Sequence, residues 1–360
     1  KQHSFRIDME RNVMETQHCS DAPPPLSDST PTFTHTRRII HGKQRVISVP
    51  NREMRTLHTE FIAKLLLCRI DLESATGSLR GSSPIKNAQR HLEMRYVYAF
   101  DIANAFPSVP LDRLAEIISA SNSRFGLAQE LEQYLKKYFA GEEGGLAIGG
   151  PASPLLFNIY CAATIDLSIR NLLKIHGKTS TDRRNEYTRY VDDCTVSSRD
   201  PIPRILRQRI RAIVAAAGFT ISHHKSKVLH TQHGRPVEIT GVLVHRGRLS
   251  PSLKFTKKIQ KILRLPEKEL ESLDPRKLHG LLSHLRQFFY SAGGMMGRRN
   301  MLIRCIKILE KRLPPKRVSN SEKQLSPFPK QFIKDLENAV KMVEVIEPHI
   351  KPCDRKGWKG

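Results

Sequence analysis

A chain of 360 residues of which 39% are apolar is long enough for two or three structural units around a real core, which excludes a wholly disordered protein. Its 60 Lys and Arg against 35 Asp and Glu give a net charge of +25 and a pI near 10.1, which points to a polyanionic partner, either nucleic acid or an acidic membrane surface. No run approaches the roughly 20 apolar residues of a bilayer span, and the N-terminal "KQHSFRIDMERN" lacks a signal-peptide core, so a soluble, cytoplasmic protein without a membrane partner is expected.

Six scattered cysteines without a C-x-x-C pair argue against a zinc site or a disulfide framework. His223 and His224, read as strand neighbours, would point to opposite faces, which favours solvated or packed histidines over ligands.

In chain order, residues 1–36 are polar and carry the breaker "DAPPPLSDSTPT", an expected loop or surface arm. "RRIIHGKQRVISVPN" reads as a hairpin about a Gly-containing turn. "REMRTLHTEFIAKLLLCRI" reads as a helix with Leu57, Phe61, Leu65 and Leu66 on one stripe. A mixed unit follows from about Arg95 to Gly247. Beyond it, "KFTKKIQKILRL" sets Phe255, Ile259, Ile262 and Leu263 on one stripe, with Lys254, Lys257, Lys258 and Lys261 around it, the pattern of an amphipathic helix. Residues 246–360 hold 27 Lys/Arg against 11 Asp/Glu, a surplus of 16, so the positive field is concentrated there. There is no internal repeat.

In the mixed unit, "EYTRYVDDCTVSS" places Asp192 and Asp193 side by side at the tip of an expected hairpin. Adjacent carboxylates repel unless a cation lies between them. If they hold divalent metal, a further carboxylate should come from another strand. "RYVYAFDIANAFPSV" offers one, since the apolar run 96–100 ends at Asp101. Alone, Asp101 reads as a helix cap or turn residue; with Tyr190-Val191-Asp192-Asp193 it reads as a metal ligand.

A Y-x-D-D hairpin preceded by an Asp-x-x-x-x-Phe strand end resembles the palm of a reverse transcriptase. "GLAIGGPASPLLFNIY" (145–160) resembles the segment supporting template and incoming nucleotide, "GKQRVISVPN" a fingers element, "GFTISHHKSKV" the next palm motif and "EITGVLV" the primer-grip region. "NAQRH" (87–91) fits the Asn-Ala-x-x-His signature of bacterial retron enzymes, and Ile239-Thr240-Gly241 is one conservative change from their Val-Thr-Gly, so the resemblance is to the retron-type branch. One departure stands out: Ala147-Ile148-Gly149 replaces the family's usual Pro-Gln-Gly, removing a side-chain amide near the nucleotide. An Ile-Gly pair there also resembles diversity-generating and some phage-defence reverse transcriptases.

The resemblance implies an α+β right-handed polymerase: an N-terminal arm (1–36), fingers (37–94), a palm with inserted fingers elements (95–247), a helical thumb (248–320) and a basic extension (321–360). It implies two Mg²⁺ ions, with Mn²⁺ as an alternative, held by Asp101, Asp192, Asp193 and the Ile102 carbonyl. Lys225 would lie near the leaving pyrophosphate. Lys43, Arg45, Gly149 and Ser153 would face the nucleotide, and Phe106 would sit under the sugar to exclude a 2′-hydroxyl, with core packing as its bland alternative. Asn87, His91 and residues 239–241 would serve RNA recognition or a structural role. Lys257, Lys258, Arg298 and Arg299 would grip RNA phosphates or simply be solvated.

The implied function is an RNA-directed DNA polymerase, a nucleotidyltransferase copying a cognate structured non-coding RNA with dNTPs into RNA-linked single-stranded DNA (msDNA), with an effector protein in anti-phage defence. The alternatives are another defence-associated or diversity-generating reverse transcriptase, an RNA-dependent RNA polymerase, which the ring at Phe106 disfavours, and a non-catalytic RNA-binding protein on a polymerase scaffold.

Overall fold

A computed structural model describes residues 30–290, apart from 41, 69, 179–184, 231–235, 246, 267–268 and 270–273. The proline-rich part of the N-terminal arm, Arg298, Arg299 and the basic extension lie outside the described residues.

Strands β1 (Phe33–Ile40) and β2 (Lys43–Pro50) form an antiparallel ribbon with Phe33 opposite Pro50 and Ile40 opposite Lys43. The ribbon starts four residues before Arg37, inside the expected arm, because Phe33 and Thr34 still find partners in Pro50 and Val49. Asn51 then caps helix α1 (Arg52–Leu65), its side chain accepting from the Met54 amide at 2.9 Å. The buried stripe is Met54, His58, Phe61 and Leu65; Leu66 lies past the helix end and is 61% exposed, so the expected stripe is displaced by part of a turn.

Helix α2 (Pro84–Gln89) starts on a Ser83 cap, with Pro84 in the first turn where its missing N–H costs nothing. Strand β3 (Tyr96–Ala103) follows, then helices α3 (Leu111–Ser121), α4 (Ala128–Tyr138) and α5 (Ser153–Cys161). A π-helical turn, Ala162–Asp166, joins α5 to α6 (Leu167–Lys178). Strands β4 (Asn185–Tyr190) and β5 (Asp193–Ser198) form the expected hairpin. Helix α7 (Arg204–Ala216) and the short strands β6 (Thr220–Ile221) and β7 (Lys227–His230) complete the central layer.

The central sheet runs β4-β5-β3-β6, with β7 also on β3, and every pairing is antiparallel. Strand β3 is thus covered on both edges, by β5 on one side and by β6 and β7 on the other. That explains its near-continuous apolar run. The main core lies against this sheet and includes Leu114 and Ile118 of α3, Leu156 of α5 and Ile210 and Val214 of α7, all fully buried. His223 and His224 lie in a single 3₁₀ turn rather than on a strand, and both are exposed, so they are solvated.

A second sheet, β8 (Val237–Ile239), β9 (Val242–His245) and β10 (Arg248–Pro251), shares a smaller core with Ile85 and Ala88 of α2. Because β10 still pairs with β9, helix α8 (Leu253–Leu263) begins five residues after 248, the expected start of the helical region. Lys254, Lys257, Lys258 and Lys261 are exposed and Ile259 is buried, as the amphipathic pattern requires. A last helix runs Pro275–Tyr290. The described chain divides into two compact units, one carrying residues up to 257 and 287–290, the other residues 258–286. The fold is α+β, and no helix among the described residues is long and apolar enough to cross a membrane.

Candidate active site

The β4–β5 turn consists of Val191 and Asp192, and Val191 has φ 59°. A β-branched residue in the left-handed region is a sterically costly choice that its surroundings must enforce. Across the sheet, Asp193 stands directly opposite Asp101. The Ile102 amide donates to the Asp192 carbonyl at 3.0 Å, and the Ser222 amide donates to the Asp101 carbonyl at 2.8 Å. Three carboxylates therefore converge at one end of β3. Like charges directly opposite on neighbouring strands repel. Partial burial, then the charges of Asp192 and Asp101, push the Asp193 carboxyl up to about 6, although the residue keeps an exposed edge. Burial and then Asp101 also raise Asp192, while Lys225 and Arg45 pull it back.

Lys225, in the 3₁₀ turn before β7, places its ammonium 2.7 Å from Asp101 Oδ1. That hydrogen bond, and then the carboxylate charges, raise the Lys225 pKa. Among the described residues no group of three His, Cys, Asp or Glu side chains is arranged to hold a metal ion. The donor set nevertheless fits hard divalent cations, which take carboxylate oxygens. Beyond burial, the charges of Asp192 and Asp101 raise Asp193, and that excess negative charge is what such an ion would relieve; Lys225 already supplies one cation to Asp101.

The other expected nucleotide residues lie on elements joined to this end of the sheet. Lys43 and Arg45 are exposed on β2. The Ser48 amide donates to the Ile148 carbonyl at 2.8 Å, which ties the ribbon to the 145–150 loop. Gly149 has φ 110°, and a Cβ there would meet the Ser48 carbonyl oxygen at 2.6 Å, so only glycine suits this crossing. Phe106 is half-buried against Phe157, ring centroids 5.3 Å apart, and its carbonyl accepts from the Leu146 amide. Ile102 is buried within β3. Ser153 is 1% exposed at the start of α5, and its hydroxyl has no hydrogen-bond partner among the described residues.

The two short retron-like motifs meet each other. Thr240 and Gly241 both have positive φ, which makes the β8–β9 connection the two-residue hairpin loop that matches strand twist. Asn87 Nδ2 donates to Thr240 Oγ1 at 3.1 Å, while Asn87 Oδ1 accepts from Thr76 Oγ1 at 2.7 Å. His91 bonds the hydroxyls of Ser197 on β5 and Thr188 on β4, at 2.6 and 2.8 Å. Asn87, His91 and Ile239 are buried, at 0%, 1% and 2% exposure. Their side chains are used within the protein: His91 braces the hairpin carrying Asp192 and Asp193, Asn87 ties Thr76 to Thr240 and Ile239 lies in the smaller core, so direct RNA contact by these three is at odds with their burial. Lys257 and Lys258 are exposed on α8.

Sequence reading overlooked a large buried polar group centred on Arg189. Arg189, between β-formers in "EYTRYVDD", is fully buried and forms a salt bridge with the equally buried Asp166 at 2.9 Å. The available signal was a lone arginine near the end of a strand one face of which must pack inward.

Residues 34–244 match the family model described as reverse transcriptase (RNA-dependent DNA polymerase). The Retron Mx162 reverse transcriptase of Myxococcus xanthus is 26% identical over 279 residues, covering 68% of this chain and 55% of that protein. The Retron Mx65 reverse transcriptase of the same organism is also 26% identical over 279 residues, covering 72% and 61%. The chain thus spans between half and two thirds of the length of these relatives. The Retron Ec83 reverse transcriptase of Escherichia coli is 21% identical over 249 residues, covering 66% and 77%. Among solved structures, apo telomerase from Candida Tropicalis aligns with a TM-score of 0.46 at 12% identity, covering 84% of this chain and 70% of that one. With a family model spanning the ribbon, the central sheet and its acidic end, the chain belongs to the reverse transcriptase family, and its likeness within that family is to the bacterial retron type.

Proposed function

We propose that the protein is an RNA-directed DNA polymerase that copies a cognate structured non-coding RNA into RNA-linked single-stranded DNA, with a role in anti-phage defence alongside an effector protein. The observation that carries the polymerase reading is the convergence of Asp101, Asp192 and Asp193 at one end of β3, with Lys225 on Asp101. A module that merely bound RNA would gain nothing from like charges held this close.

In this reading a primer hydroxyl attacks the α-phosphorus of a dNTP; the new P–O bond forms as the bond to pyrophosphate breaks, pyrophosphate departs, and the hydroxyl proton passes to solvent water. Asp101, Asp192 and Asp193 would hold two divalent ions, Mg²⁺ or Mn²⁺, with the Ile102 carbonyl as a further oxygen donor. When bound, these ions acidify the primer hydroxyl and neutralise the triphosphate. Lys225 carries positive charge to the leaving pyrophosphate, and Lys43 and Arg45 on the ribbon meet the triphosphate or the template. Phe106, backed by Phe157, lies under the sugar and rejects a 2′-hydroxyl. The exposed lysines of α8, Lys257 and Lys258 among them, meet nucleic-acid phosphates.

Purified protein incubated with its copurifying RNA, Mg²⁺ and labelled dNTPs should give DNA joined to RNA through a 2′,5′ linkage, and Asp192→Asn should give none while still binding the RNA. Absence of labelled DNA under every priming condition would favour the non-catalytic RNA binder. Homopolymer, repeat or protein-linked DNA would assign the chain to another class of reverse transcriptase.

A further inference from the structure

Arg189 is assigned above no contact with nucleotide, metal or RNA, yet all five of its N–H donors are used inside the protein. Nε and Nη2 donate to the two oxygens of Asp166 at 3.0 and 2.9 Å. Nη1 donates to Asn158 Oδ1 at 2.8 Å and to the Val191 carbonyl at 3.0 Å, and Nη2 also reaches the Asn158 carbonyl at 3.4 Å. The guanidinium carbon stands 5.3 Å from the centre of the Phe157 ring. Asp166 in turn accepts from the Tyr187 hydroxyl at 2.9 Å, and it lies at the end of the π-helical turn, a kind of insertion that recurs at functional sites.

The Val191 carbonyl is the informative contact. It belongs to the peptide that leads into Asp192, and Val191 is the residue with φ 59°. The turn is also packed closely against Gly77, where an added Cβ would lie 2.7 Å from the Val191 nitrogen and 2.8 Å from its Cγ2. Asn158 Nδ2 donates to the Gly77 carbonyl at 3.0 Å, so the network of Arg189 extends to Gly77 through Asn158. A buried ion pair is weak evidence of stabilisation for its own sake, because desolvation offsets the attraction. A group that fixes one peptide orientation gives a reason to keep it.

We propose that Arg189 and Asp166 are positioning residues for the reaction: the guanidinium, held by the Asp166 carboxylate, grips the Val191 carbonyl and so keeps Val191 left-handed, which aims Asp192 at the end of β3. This rests on the polymerase reading for its consequence in rate, but the aim of Asp192 can be measured without catalysis.

The test compares wild type, Arg189→Lys, the charge-neutral double variant Arg189→Gln/Asp166→Asn, and each of these with Val191→Gly added. Urea unfolding identifies which variants fold. Single-turnover dNTP incorporation gives rate and KM, and electron paramagnetic resonance of free Mn²⁺ gives cation affinity without nucleotide. In folded variants the rate at saturating dNTP or the Mn²⁺ affinity should fall about 10- to 100-fold, the usual effect of removing a group that orients a ligand, with dNTP KM changed little. Val191→Gly should restore part of the loss, because glycine takes positive φ without steric cost. A folded variant with wild-type rate and Mn²⁺ affinity would overturn the proposal, and so would a loss that Val191→Gly leaves untouched. A wild type that makes no DNA but binds Mn²⁺ more tightly than the variants would sink the polymerase reading and leave the positioning role standing.

Discussion

Replacing His91 with Gln should make the protein markedly less sensitive to acid. Burial, with the Arg90 charge beside it, lowers the His91 pKa to about 3, whereas an unfolded histidine titrates near 6.5. The folded value lies below the unfolded one, so the unfolded chain binds the proton first. The stability this neutral imidazole contributes is complete above pH 6.5 and is lost as pH falls from there towards 3. At about 1.4 kcal/mol per pH unit, His91 alone should remove about 2 kcal/mol between pH 7.5 and pH 5, and about 4 to 5 kcal/mol by pH 3 as an upper bound. His91→Gln loses bonds to Ser197 and Thr188, costing about 1 to 3 kcal/mol at pH 7.5. Its further loss on going to pH 5 should nevertheless be smaller than that of wild type by about 2 kcal/mol. Urea unfolding of both proteins at pH 7.5 and 5.0, followed by circular dichroism, measures the two differences. Equal losses would refute the reasoning, because they would mean that His91 is already protonated in the folded protein or is hydrated there.

Phe106→Ala should raise rNTP incorporation relative to dNTP by about tenfold or more, the scale of one steric contact in a substrate pocket, and an unchanged ratio in primer extension would remove the gate assignment. Gly149→Ala should cost about 1 to 3 kcal/mol, since φ 110° is a region that side chains avoid and the new Cβ would meet the Ser48 carbonyl at 2.6 Å. Urea midpoints would show this, and a raised KM for dNTP should accompany it if the loop faces the nucleotide. Lys225→Ala should slow single-turnover incorporation about 100-fold while the protein stays folded, because it removes the ammonium on Asp101; a wild-type rate would take Lys225 out of the reaction.

What the sequence determined by itself was whatever depends on neighbours in the chain. The β1–β2 ribbon, helix α1, strand β3, the β4–β5 hairpin and the amphipathic α8 are all legible from periodicity, turn residues and caps, which act over a few residues. The acids could be nominated in the same way, since a doublet at a turn and an acid ending an apolar strand are local signals. The buried stripe of α1 lies part of a turn from the one that periodicity predicts, because a helix buries the face its tertiary neighbours choose, here the one carrying Met54 and His58. The local pattern predicts a strand through His223 and His224, where the chain instead makes a 3₁₀ turn.

Only the tertiary structure decided how distant residues pair. Antiparallel register on β3 sets Asp193 opposite Asp101, and no local pattern specifies that alignment. Asn87 reaches Thr240 across 153 residues, turning two motifs that suggested RNA contact into one internal brace. Arg189 and Asp166, 23 residues apart, look like an ordinary strand arginine and helix aspartate until the sheet closes over them. Charge and periodicity show which residues carry chemistry, but which of them meet depends on packing that excludes water, and a buried pair exists only once the whole fold has removed it from solvent.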